Sequence, residues 1–251
     1  MVSKEEIQNE DAIFSHQLEL FVSSSTEKGI ELLVIGDIIT GLPNRQRFLD
    51  VGAGGGDLTV PISQLFEETF VVEPNPLQAR AFRRRHPEYT VIEAGWESVD
   101  QENDLGGNAF DFILCSHVLY YIPTGDWDKL VHRMYTLLSA GGCLAIVLQS
   151  PLGEVADFFN WFTRYDVAIL ELAGDLIERY GDDCVSLRYF QNQIVTDNLE
   201  DMTEIGLFLL IDPKYREQSR EIARYFQEKH QLGESYRLKQ DEILLTVWRR
   251  E

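Results

Sequence analysis

The chain has 251 residues, 44% of them apolar, which suits one α/β domain with a cap or at most two small domains around a sizeable core. A formal net charge of −20 would repel a phosphate backbone, so nucleic acid is not expected as a substrate, whereas a cationic small molecule would be attracted. Three cysteines set up no disulfide framework, the polar start Met1–Glu6 is no signal peptide, and no apolar run reaches the roughly 18 residues needed to span a membrane; a reducing, cytoplasmic setting away from membranes is expected.

Residues 1–10 are polar and read as a frayed start. Phe14, Leu18, Phe21 and Val22 then recur at helical spacing, either as core packing or as a lid over a ligand site. Ser24 and Glu27 fit a capping box for a second helix running through Leu32–Ile35 towards Gly41. The apolar run ending at Asp50-Val51 and the cluster Gly52-Ala53-Gly54-Gly55-Gly56 read as a parallel strand turning into a helix over Leu58–Glu67. Glycines at such a turn let backbone N–H groups approach a ligand without a Cβ in the way. Glu73, at the end of the next strand (Thr69–Val72), lies about 20 residues beyond the loop, where a carboxylate accepts from a ribose diol.

Asn75 and Pro76 open a helix to Arg85, whose basic last turn suits the helix dipole. Strand three is Tyr89–Ile92, and Gly95-Trp96 follows at the carboxyl edge, Trp96 being either an adenine neighbour or an ordinary packed aromatic. After the loop Gly106-Gly107-Asn108, strand four ends in Ser116-His117-Val118-Leu119-Tyr120-Tyr121, an edge facing the site in a sheet wound as usual; His117 stands out as a candidate for chemistry. A helix over Asp126–Leu138 leads to strand five, Cys143–Leu148. Cys115 and Cys143 read as buried thiols, and with no Cys/His cluster at ligand spacing and no H-E-x-x-H, no metal is expected. The segment after Pro151 is rich in aromatics, including Phe158 and Phe162, which either pack a helical insertion or wall a substrate pocket. A helix over Ile194–Ile205, a strand over Leu207–Ile211, a helix over Tyr215–His230 and a last strand over Asp241–Trp248 complete the expected order.

The form D-x-G-x-G-x-G at Asp50–Gly56, with Phe110–Cys115 and Leu137–Val147 in order behind it, resembles class I S-adenosylmethionine-dependent methyltransferases. That resemblance implies a Rossmann-like α/β fold with a mostly parallel seven-stranded sheet, helices on both faces, an N-terminal helical lid and an aromatic helical insertion after strand five. It implies S-adenosylmethionine as cofactor, bound by Asp50, Gly52, Ala53, Gly54, Glu73, Pro74, Gln78, Gly95, Trp96 and Ser116. Within the class, Phe21–Glu27, Val71–Gln78 and Val118–Tyr121 are similar to segments of the histamine N-methyltransferase group. The likeness implies substrate contacts for Glu27, for His117 where the group has a glutamine, and for Asp241 where it has an asparagine. With Phe14, Leu18, Tyr121, Phe158 and Phe162 these make the expected substrate site, with Glu27 and His117 as the expected catalytic pair. The departures at positions 117 and 241 point to a small basic amine other than histamine. An O- or carboxyl-methyltransferase, or a non-catalytic cofactor-binding protein, is the alternative. One domain over residues 1–251 is expected: a lid at 1–46, a cofactor core at 47–149, an insertion at 150–193 and the rest of the sheet at 194–251. The oligomeric state is left open by the sequence.

Overall fold

The computed structural model describes residues 4–107 and 109–250, with side chains described from Ile13 onward. Of the expected frayed start over residues 1–10, residues 1–3 lie outside them, as does Asn108, whereas residues 4–10 are not frayed but helical, in a helix that begins at Lys4. The chain forms two compact units, one of Met1–Ile30, Leu152–Asp166 and Gln191–Asp241, the other of Glu31–Pro151, Val167–Phe190 and Glu242–Glu251. Three elements run through both: helix α2 (Glu27–Thr40) and strands β6 (Val185–Thr196) and β8 (Ser235–Trp248).

The second unit carries β1 (Arg47–Val51), α3 (Thr59–Ser63), β2 (Glu68–Val72), α4 (Pro76–Arg85), β3 (Thr90–Ile92), β4 (Phe110–Ser116), α5 (Trp127–Thr136), β5 (Leu138–Gln149) and α7 (Ile169–Tyr180). The sheet runs β3-β2-β1-β4-β5-β8-β6. Pairing is parallel from β3 to β5, and β8 lies antiparallel on β5, with Leu144 opposite Val247. These strands are near-continuous apolar runs because both faces are covered. Phe48, Phe112 and Leu114 pack under Val34, Ile35 and Ile39 of α2 and Ile62 of α3. Their neighbours Leu49 and Ile113 point the other way and are equally buried. Asn75 caps α4 as its sequence implies, its side chain accepting from the N–H groups of Leu77 and Gln78. The chain order reverses between β1 and β4, so their carboxyl ends flank the crevice where sheets of this kind bind ligands.

The first unit holds α1 (Lys4–Ser24), α6 (Glu154–Phe162), α8 (Leu199–Leu210), α9 (Ser219–Lys229) and the short β7 (Gln231–Leu232), which pairs with the start of β8. Phe14 and Phe21 of α1 meet Phe208 of α8 at ring-centroid distances of 5.7 and 5.2 Å. Phe158 is fully buried and stacks on Phe226 at 5.1 Å.

Four further sequence expectations are corrected. The helix after the glycine cluster is only α3, Thr59–Ser63, rather than Leu58–Glu67. Ser24 ends α1 and Glu27 is the first residue of α2, so no capping box joins them; Ser25 Oγ instead accepts from the Glu27 N–H at 3.0 Å. Residues 185–196 are strand β6, and the expected helix over Ile194–Ile205 starts only at Leu199, where Asn198 accepts from the Asp201 N–H at 2.8 Å. The expected strand Leu207–Ile211 is the last turn of that same helix α8 and the residue that ends it, because a short apolar run does not by itself distinguish the two periods.

Two interior glycines respond oppositely to the same substitution. A Cβ on Gly206 of α8 would meet Phe226 at 2.5 Å and Ile222 at 2.9 Å, so Gly206→Ala should destabilise by about 1–3 kcal/mol despite alanine's better helix propensity. Gly174 of α7 has open space around it, and Gly174→Ala should stabilise by about 0.5–1 kcal/mol. Denaturant titration of both variants checks the pair of signs.

Candidate active site

The loop after β1 is built by left-handed backbone. Gly52, Gly54 and Gly56 have φ of 79°, 53° and 93°, a region that side chains with a Cβ rarely adopt. A Cβ on Gly52 would run into Val118, and one on Gly56 would lie 2.8 Å from the Phe82 ring. Above Gly54 nothing lies within 4 Å of where a Cβ would be, so the loop leaves room there for a ligand. The loop is anchored from below: Asp50, buried at the end of β1, accepts from Thr59 Oγ1 at 2.6 Å. It is anchored from the side by Arg85, the last residue of α4, which donates to the Gly55 carbonyl at 3.3 Å.

Glu73 follows β2 and is buried. Its two oxygens accept from the Gly54 and Asn75 N–H groups, each at 2.8 Å. Burial raises its carboxyl above the usual range, and the bonds from Asn75 and Gly54 partly offset that rise. The carboxylate thus spans the loops after β1 and β2 and retains further lone pairs for a diol. Pro74 is exposed and Gln78 half-buried beside it. Trp96 is buried, its Nε1 donating to the Leu130 carbonyl at 3.1 Å, with the Arg133 guanidinium 5.1 Å over its ring. Its surroundings are those of a packed core aromatic, and Gly95 precedes it at the edge of the sheet.

His117 follows β4 directly and has a φ of 57°, left-handed for a residue with a Cβ. Its N–H still donates to the Val147 carbonyl at 2.9 Å, so the strand's pairing holds up to the turn. Its Nε2 lies 2.9 Å from Glu31 Oε1 and 3.2 Å from Glu242 Oε1. Both carboxylates have no exposed side-chain surface, while the imidazole is 19% exposed. Ser116 Oγ donates to the other Glu31 oxygen at 3.1 Å. On the far side of the ring, Nδ1 is 3.3 Å from the Tyr120 hydroxyl, which also accepts from the Gln149 N–H. Tyr121, next along, is exposed.

Glu31 and Glu242 were not among the sequence candidates. The available signals were an acid one turn after Glu27, in line with Ile35 and Ile39 on α2, and the second acid of Asp241-Glu242 at the head of the largely apolar run Ile243–Val247. Within the second unit it is Glu242, at the head of the apolar part of β8, that turns to His117. Asp241 accepts from Gln191 Nε2 at 2.7 Å, within the first unit. Glu27, also of the first unit, is buried, accepts from Gln240 Nε2 at 2.7 Å and pairs with Lys28 at 2.7 Å. Phe162 packs on Phe158 at 5.1 Å and on Tyr225 at 5.7 Å, and Leu18 is half-buried.

Comparison with known proteins places this geometry. Residues 49–144 match a family model described as "Methyltransferase domain". A ribosomal RNA small subunit methyltransferase A from Chlorobium phaeobacteroides is 34% identical over 92 residues, 37% of this chain and 34% of that protein, so the chain spans about a third of the length of the relative it matches. Among solved structures, the YcgJ protein from Bacillus subtilis superposes with a TM-score of 0.57 at 17% identity, covering 86% of this chain and 97% of its own. The plantazolicin methyltransferase BpumL in complex with SAH gives a TM-score of 0.59 at 8% identity, covering 99% and 91%. The sheet order, the left-handed glycine loop and the acidic end of β2 thus belong to a Rossmann-like fold shared with these structures, and residues 49–144 are similar in sequence to the methyltransferase domain family.

Proposed function

We propose that the protein transfers a methyl group from S-adenosylmethionine to a small-molecule amine. The observation that carries this reading is the pairing of Glu73 with Gly54: an acidic strand end bonded to a glycine loop with open space above it, at the switch point of the sheet. The cofactor supplies a methyl already activated on sulfonium, so the residues need only bind, orient and accept a proton. Glu73 would accept from the ribose hydroxyls, and the N–H groups of the glycine loop would lie along the rest of the cofactor. Holding an acceptor in line with the methyl can supply roughly 7–11 kcal/mol of the barrier.

The acceptor side is supported by the carboxylates around His117. An amine must be neutral to attack, and the buried Glu31 and Glu242 carboxylates beside one imidazole suit a site that holds a cationic group while the amine's proton passes to solvent. The likeness of Phe21–Glu27 and Val71–Gln78 to the histamine N-methyltransferase group favours the same class, and the net charge of −20 favours a small cation over a nucleic acid. Transfer of labelled methyl to a panel of amines, phenols, carboxylic acids and ribosomal RNA tests the reading. Turnover confined to amines is expected; label only in RNA or only on oxygen acceptors would overturn it.

Glu73→Ala should weaken S-adenosylmethionine binding by about 1–3 kcal/mol, read by calorimetry. Gly54→Val should abolish binding by filling the open space and, at a φ of 53°, by straining the turn, so its melting temperature should fall as well. Affinity should also fall as pH drops through the raised carboxyl pKa of Glu73, and Glu73→Gln should flatten that dependence. For stability the sign reverses: a raised folded-state pKa favours the fold below the unfolded value, and that contribution is lost as pH rises through the folded one.

A further inference from the structure

We infer that Glu31, His117 and Glu242 hold a divalent first-row metal ion, and that the acceptor is an amine carrying an oxygen donor that completes the ion's coordination. The second part rests on the amine reading above; the first does not.

The geometry comes first. One ring nitrogen, His117 Nε2, faces two carboxylate oxygens at 2.9 and 3.2 Å. The three ligand atoms lie within 4.8 Å of one another. A single N–H can point well at only one acceptor, so sharing it between two is a poor hydrogen-bond arrangement. Ligand atoms about 2.1 Å from one ion sit ~3.0 Å apart when their bonds meet at a right angle and ~3.4 Å apart when tetrahedral. Both spacings from Nε2 are therefore those of a pair of ligands on one ion. Two carboxylates with one imidazole make a hard-to-borderline donor set, which fits Mn²⁺, Fe²⁺ or Zn²⁺.

Charge and support agree with the geometry. Counted alone, the three groups sum to −2 with a neutral imidazole, and a divalent cation brings them to zero. Burying two carboxylates with no exposed surface is costly unless such charge meets them. A metal-bound histidine usually donates its other ring N–H to a fixed partner, and the Tyr120 oxygen, 3.3 Å from Nδ1 and held by the Gln149 N–H, is placed for that role. Ser116 Oγ supports the second oxygen of Glu31 in the same way. The left-handed backbone at His117 is the kind of local strain that persists where a side chain must be aimed.

Three protein ligands leave coordination positions open to substrate. The site sits at the carboxyl end of β4, and Val118, the residue after His117, lies against Gly52 of the glycine loop. An amine nitrogen bound to the ion would have its lone pair engaged and could not attack a methyl group. The ion would therefore grip an oxygen beside the nitrogen, as in an amino alcohol, an aminophenol or an amino acid.

Chelator-stripped full-length protein titrated with Mn²⁺, followed by calorimetry and by loss of the free-ion EPR signal, tests the first part. One saturable site per chain is expected, and its absence with both Mn²⁺ and Zn²⁺ would overturn the site. Glu31→Gln, Glu242→Gln and His117→Asn keep size or backbone tolerance and should each weaken Mn²⁺ by about 10–100-fold or more. Wild-type affinity in all three variants would also overturn it, and if a variant fails to fold the wild-type titration still decides. Amines with and without a neighbouring oxygen, assayed with and without Mn²⁺, test the second part: metal-dependent turnover of the former alone is expected. Equal turnover of bare amines in stripped protein overturns the acceptor class. Saturable Mn²⁺ binding with methyl transfer only to oxygen acceptors would leave the metal site standing and remove the amine reading.

Discussion

The Glu73 carboxylate is gripped by two backbone N–H groups, Gly54 from the loop after β1 and Asn75 from the turn after β2, and through them two successive strand–helix turns are set against each other. Burial opposes the charge on that carboxylate and the two N–H bonds support it, so the carboxylate depends on the loops keeping their positions. The loop in turn keeps its position only without side chains at its crowded points, because Val118 occupies the space beside Gly52 and Phe82 the space beside Gly56. Removing the Cβ where two elements meet and leaving space above Gly54 are the same design seen from its two sides: the backbone closes onto the protein at one glycine and opens to a ligand at the next.

The second concentration of polar atoms depends on a different feature, the antiparallel insertion of β8 beside β5. Gln149 at the end of β5 is opposite Glu242, and this register places a carboxylate at the same sheet edge as His117. Helix α2 contributes Glu31 from above the sheet in the row that Ile35 and Ile39 continue into the core. Both acids occupy positions where apolar residues would pack as well, and replacing buried ion pairs by apolar groups is often neutral or stabilising. Their presence is therefore better explained by what they bind than by what they hold together.

The first unit is organised by aromatic packing of a more ordinary kind. Phe158, Phe226, Tyr225 and Phe162 form one cluster, and Phe14, Phe21 and Phe208 another. Phe158 has no exposed surface, which gives it a core role. Phe14 and Phe162 keep exposed surface and so remain able to meet a ligand.

The parallel core was legible because its signals are local. Alternation of short apolar runs with helices, glycines at the first turn and an acid about 20 residues on each follow from backbone sterics and hydrogen bonding within a few residues. The same is true of the Asn75 cap and of Cys115 and Cys143 as buried thiols. Where the local signal was ambiguous the reading failed: Ile194 and Leu207–Leu210 are apolar enough for either period, and only the neighbouring β8 makes 185–196 a strand. His117 could be singled out from its place after β4, but its partners could not, since Glu31, His117 and Glu242 are separated by 86 and 125 positions in the chain. Their meeting is a product of sheet order and of which way β8 turns its alternate residues. The sequence alone therefore determined the fold class and the glycine loop, whereas tertiary structure decided that Glu242 meets the histidine, because a shift of one residue along a strand reverses the face it presents.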